Sequence, residues 1–101
     1  MDAFKIITLC GSTKFKPFFD QINLDLTLSG KIILQPGCFM HFDRIFITDE
    51  QKEQLDKLHK EKILMSECIY VLNVNNYIGS STQSEIDFAK NHNIPIFYYQ
   101  E

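Results

Sequence analysis

Apolar and polar positions along this chain follow two rhythms. Four largely apolar, β-branched runs read as buried strands: Phe4 to Leu9, Lys31 to Gln35, Cys68 to Val74 and Ile96 to Tyr99. Between them the spacing turns helical. Phe15, Phe18, Phe19, Ile22 and Leu26 recur on one face. Pro17 stands in the first turn, where proline is tolerated, and Ser29-Gly30 provides a stop. Thr48-Asp49-Glu50-Gln51 fits a capping box and opens the longest helix, to about Ser66. A third helix is predicted from Thr82 to about His92, before Asn93-Ile94-Pro95 turns into the last strand. Residues 37–47 carry aromatics without periodicity and are expected to form a loop that lines or covers something. The order β-α-β-α-β-α-β predicts one parallel sheet of about four strands. Right-handed crossovers then put helices on both faces, a three-layer α/β/α arrangement.

Composition narrows the classes without choosing among them. The chain has 101 residues, which implies a single domain, and 45% of them are apolar. A net charge of −3 gives no basic footprint for a nucleic-acid polymer. A single nucleotide remains possible, because it needs only local N–H groups and one or two cations. The three cysteines, Cys10, Cys38 and Cys68, show neither metal nor disulfide spacing, and reduced thiols in a cytoplasmic protein are the simplest reading. No signal peptide is evident, and no run approaches the roughly 20 apolar residues of a membrane span.

Two loops carry the candidate chemistry. Cys10-Gly11-Ser12-Thr13-Lys14 follows the first strand, and Tyr77-Ile78-Gly79-Ser80-Ser81-Thr82-Gln83-Ser84-Glu85 follows the third. Glycine and small hydroxyl residues let backbone N–H groups approach a phosphate or sugar at a helix N-terminus. In an open α/β sheet both loops would lie at the carboxyl ends of strands, where ligands bind.

The segments Ile6 to Lys14, Lys62 to Val74 and Tyr77 to Ala89, in that order and spacing, resemble the nucleoside 2-deoxyribosyltransferase superfamily. It includes deoxyribosyltransferases and nucleoside 5′-monophosphate N-glycosidases. The resemblance implies a Rossmann- or flavodoxin-like fold. It also implies cleavage or exchange of an N-glycosidic bond, with Glu85 matching the nucleophile. Glu85 would attack the anomeric carbon through an oxocarbenium-like transition state. The glycosyl group would then pass to water or a second base, with no metal or organic cofactor required. The family often places a Tyr on the first strand, where this chain has Thr8. It often places an acidic proton donor before the third strand, where this chain has His59, Lys60, Glu61 and Lys62. A nucleotide-binding or sensing domain that kept the pocket and lost catalysis is the alternative.

Each candidate residue has a plainer reading as well. Thr82-Gln83-Ser84-Glu85 is itself a capping box. Yet at about 100° per residue Glu85 falls on the apolar side of its helix, between Phe88 and Ala89. A carboxylate there needs donors, and Ser81, Thr82 and Ser84 could supply them. Ser12 can be a simple N-cap and Lys14 a solvated cation, or the pair can bind an anion or ribose. Gly11 and Gly79 would admit a ligand to the backbone. Lys62 can serve the helix dipole or aim at the cleft, and His59 shares its stripe with Leu55 and Leu58. Cys10 reads as a buried, inert thiol. Phe39, Phe42 and Phe46 read as core, or one of them stacks on a base. The Phe39 to Phe46 stretch, with nine Phe and four Tyr in so short a chain, suggests a homodimer or larger homo-oligomer that completes the site; a lid over its own pocket is the other possibility.

Overall fold

In the computed structural model, which describes residues 5–36 and 46–100, the two rhythms become distinct elements. β1 is Ile6–Cys10, and a 3-10 turn at Thr13–Phe15 leads into α1, Lys16–Leu28. β2 is Ile32–Leu34, α2 is Asp49–Leu64 and β3 is Cys68–Val71. A second 3-10 turn at Val74–Asn76 precedes α3, Ser80–Asn91, and β4 is Ile96–Tyr98. The four strands pair in parallel in the order β2-β1-β3-β4. Successive strands therefore depart in opposite directions from β1. The crevice between the carboxyl ends of β1 and β3 is a topological switch point.

Side-chain alternation on β1 explains the layers. Ile7 and Leu9 face α1 and pack with Phe19 and Leu72. Cys10 joins Ile69 and Val71 on the opposite face, under Ile63 of α2 and Ile86 and Ala89 of α3. The fold is a small three-layer α/β/α, Rossmann- or flavodoxin-like domain, as the alternation of patterns predicts. Among the described residues no helix is long and apolar enough to cross a membrane.

Local chemistry fixes the ends. The Thr48 hydroxyl accepts from Gln51 N–H at 3.1 Å, and the Gln51 side chain accepts from Thr48 N–H at 2.9 Å, completing the capping box at α2. Gly30 has φ +97°, and the Gly30 and Lys31 amides donate to the carbonyls of Thr27 and Leu26, closing α1. The Thr8 hydroxyl donates to the Lys62 carbonyl at 3.1 Å and meets the Ser66 hydroxyl. Thr8 thus ties the last turn of α2 to the central strand.

Two boundaries differ from expectation. The third strand stops at Val71, because Asn75 and Asn76 take left-handed φ values of 56° and 61° and coil the chain. Asn73 holds that coil by exchanging two 2.8 Å hydrogen bonds with the Gln100 backbone. The third helix begins at Ser80 instead of Thr82. Its N-cap is Gly79, with no side-chain cap, so the capping box expected at 82–85 does not form. Most of the aromatic stretch, residues 37–45, lies outside the described residues.

Candidate functional site

The switch point is built by close backbone approach. Gly11, at φ +154°, lets the loop after β1 pass against the loop after β3. A Cβ there would stand 3.1 Å from the Leu72 carbonyl oxygen and 3.3 Å from Leu72 Cβ. The Leu72 amide also donates to the Cys10 carbonyl at 2.7 Å. Beyond this junction opens a cavity of about 710 Å³.

Six of the residues selected from sequence line it: Gly11, Ser12, Lys62, Gly79, Ser81 and Glu85. Ser12 also acts as the local cap, accepting from the Lys14 amide at 3.3 Å. The Lys62 ammonium donates to the Gln35 carbonyl at 2.8 Å, so it bridges two walls. Two selected residues sit elsewhere. The Lys14 ammonium lies 3.5 Å from the centre of the Tyr77 ring, a cation–π contact with a lining residue, while Lys14 itself does not line the cavity. Ser84 borders a smaller recess of about 210 Å³ that shares Asp56 and Glu85 with the main cavity. Its hydroxyl accepts from Lys60 at 3.0 Å.

Glu85 sits in the second turn of α3, with its side chain only 12% exposed. Its Oε1 stands 3.5 Å from His59 Nε2 on α2. Cys10 Sγ, at the end of β1, is also 3.5 Å from that same nitrogen. Three elements thus place a thiol, an imidazole and a carboxyl with their ligand atoms all within 4.8 Å of one another. Thr82 is buried beside them at the helix start.

Burial controls the protons here. Desolvation pushes Glu85 up from 4.5 to about 7; the Cys10 thiol, as a donor, opposes this, Asp56 reinforces it and Lys60 opposes it. Burial, helped by the Lys62 charge, pushes His59 down from 6.5 to about 4, while the Leu9 carbonyl weakly favours the protonated ring. His59 Nδ1 itself makes no hydrogen bond among the described residues. The first proton therefore goes to the carboxyl, and the Glu85–His59 contact joins a neutral ring to a titrating acid. Burial, then the nearby Glu85 charge, raises the Cys10 thiol well above its usual range, so it stays protonated at neutral pH. Cys10 is fully buried, which removes it as a nucleophile toward anything in the cavity.

The sequence reading left three members of this site unassigned. His59 looked like one apolar-stripe residue among several, and Cys10 like an inert strand end. Asp56, one turn before His59, borders both cavities. Its spacing of three from His59 was the available signal. No protein-family model matches the chain, and no curated protein matches it.

Proposed function

We propose that the protein cleaves or exchanges the N-glycosidic bond of a nucleoside or nucleoside 5′-monophosphate. The observation that carries this reading is the placement of Glu85. A largely buried carboxyl faces a cavity whose walls combine glycine and hydroxyl residues with apolar side chains, Lys52 and Lys62, and the further carboxyls of Asp56 and Glu61, at the switch point of a parallel sheet. A sugar fits such walls, because hydroxyl side chains and free backbone groups can bond its oxygens. With a group of pKa about 7, a useful fraction of Glu85 is ionised at neutral pH. The ionised carboxylate attacks the anomeric carbon, the C–N bond breaks, and the departing base takes a proton from water. Water or a second base then takes the glycosyl group from Glu85, restoring the carboxylate.

The test is incubation with a panel of deoxynucleosides, ribonucleosides and their monophosphates, followed by detection of free base. Turnover abolished by Glu85→Gln, in a protein that stays folded, supports the reading. A Glu85→Gln variant that works at the parental rate ends it. The second reading, a non-catalytic nucleotide sensor, is favoured by the partly protonated state of Glu85. Tight binding without base release would select it.

We also propose that the chain assembles with itself. Phe18, Phe97, Tyr98 and Tyr99 are exposed at and beside β4, with the Phe18 and Tyr99 rings edge-on to each other. Sedimentation at micromolar concentration tests this: a single 11.8 kDa species, with or without ligand, excludes a shared site.

A further inference from the structure

One ring nitrogen of His59 faces two groups at once. Cys10 Sγ and Glu85 Oε1 both lie 3.5 Å from Nε2. A neutral imidazole nitrogen has one lone pair or one N–H, so it cannot satisfy both. The Nε2–Oε1 separation also exceeds the roughly 2.7–3.2 Å of a good N–H···O bond. The Cys10 thiol also donates toward Glu85, so the three atoms converge on one another, as the ligand atoms of a metal site do.

Two of the three separations within the trio match those of a tetrahedral zinc site. Bond lengths of about 2.3 Å to sulfur, 2.0–2.1 Å to nitrogen and 2.0–2.2 Å to oxygen, at tetrahedral angles, separate neighbouring ligand atoms by roughly 3.4–3.6 Å. The two measured separations are both 3.5 Å, and the third ligand pair lies within 4.8 Å. Thiolate, imidazole and carboxylate are all zinc ligands, and the thiolate disfavours magnesium and calcium. Zn²⁺ with one thiolate, one carboxylate and a neutral imidazole has zero net charge, which suits so buried a position. His59 and Glu85 line the 710 Å³ cavity, so the fourth position of such an ion opens toward it.

We propose that Cys10, His59 and Glu85 form a binding site for zinc, with its fourth position facing the cavity. On binding, Cys10 gives its S–H proton to solvent, and Glu85 gives up its own wherever it is protonated; His59 binds as the neutral ring. Zinc then occupies the carboxylate that would otherwise attack a sugar. The ion therefore regulates the cavity by silencing Glu85. The metal site itself stands on ligand geometry and does not rest on the glycosidic reading.

The probe is Co²⁺ added to the whole, chelator-treated chain, followed by displacement with Zn²⁺. The expected spectrum has a thiolate-to-cobalt charge-transfer band in the near ultraviolet and intense visible bands of a tetrahedral ion, saturating at one metal per chain. Cys10→Ser should lose the charge-transfer band. Glu85→Gln and His59→Gln should each weaken binding by at least about tenfold. No thiolate band in folded protein, or an undiminished band in Cys10→Ser, overturns the proposal. Should Cys10→Ser unfold, as circular dichroism would report, unchanged affinity in Glu85→Gln overturns it equally, since Glu85 lies at the cavity edge of the site. Base release is measured separately on chelator-treated protein, with and without equimolar Zn²⁺. Absence of base release without metal defeats the glycosidic reading and leaves the cobalt spectrum to decide the metal site. Base release undiminished by bound Zn²⁺ overturns the silencing.

Discussion

Glu85 Oε1 stands 3.5 Å from His59 Nε2, and burial drives the two groups toward the same neutral state from opposite sides. Glu85 is raised, so the folded chain holds its proton more tightly than the unfolded one. That stabilisation is fully present below pH 4.5 and is lost as pH rises through about 7. His59 is lowered, so its contribution is present above pH 6.5 and is lost as pH falls through about 4. Each is worth at most about 3.5 kcal/mol, at roughly 1.4 kcal/mol per pH unit. Of the facing charges, Asp56 and Lys60 act on Glu85 and Lys62 acts on His59.

In metal-free protein the two slopes nearly cancel, and stability should vary little between pH 4 and 7 on their account. Removing either partner exposes the other. Glu85→Gln should lose stability as pH falls from 7 to 4, and His59→Gln should gain it over the same range. Urea unfolding in the presence of a chelator, at several pH values, measures both slopes. Parallel curves for the parent and the two variants would show that the groups do not hold these protonation states.

Gly11→Ala should destabilise the fold by about 1–3 kcal/mol, from the strain of a positive φ together with the contact at Leu72. The loss cannot be relieved locally, because the obstacle includes a backbone carbonyl whose own amide is bonded to Cys10. Denaturant midpoints for Gly11→Ala and Gly30→Ala provide the comparison. Gly30 has φ +97° but nothing near its Cβ position, so its cost should be the smaller.

Thr8 is fully buried under α2, and its hydroxyl fastens that helix through the Lys62 carbonyl and Ser66. Thr8→Val should cost about 1 kcal/mol, the usual worth of such a bond, since Ser66 still donates to the Lys62 carbonyl. Thr8→Tyr should be far worse, because a ring cannot enter a closed layer between β1 and α2 without moving the helix. A stable Thr8→Tyr variant with increased base release would instead show that α2 can yield to a tyrosine beside Glu85. Thermal unfolding and base release on the same samples separate the two.

The fold was legible because burial and period agree along most of the chain. Ile7 and Leu9 alternate with Thr8 and Cys10, the α1 face repeats at helical spacing, and Thr48 and Gln51 announce their helix. The start of α3 was not legible: Ser80, Ser81 and Thr82 are all plausible caps, and the backbone chose Gly79 before them. The loops at the switch point were readable as glycine and hydroxyl clusters. The trio was not, since Cys10, His59 and Glu85 lie far apart in sequence and each has an ordinary structural explanation alone. Only the sheet order, which sets β1 beside β3 and lays α2 across β1, brings them together.

Lysines divide the remaining roles. Lys14 does not line the cavity and rests on the ring of the lining residue Tyr77, whereas Lys62 lines the cavity while bonded to the Gln35 carbonyl. Lys14→Ala should therefore reduce stability by about 0.5–1 kcal/mol, the cost of a surface cation–π contact, and leave ligand affinity nearly unchanged. Lys62→Ala should weaken a nucleoside 5′-monophosphate more than the parent nucleoside, because only the phosphate draws the ammonium away from Gln35. Ser12→Ala should weaken both ligands, since its hydroxyl borders the cavity whatever the ligand's charge. Calorimetric titration of the three variants with one nucleoside and its monophosphate distinguishes these outcomes. A monophosphate preference abolished by Lys14→Ala and untouched by Lys62→Ala would place the anion at the Tyr77 wall of the cavity and overturn the assignment to Lys62.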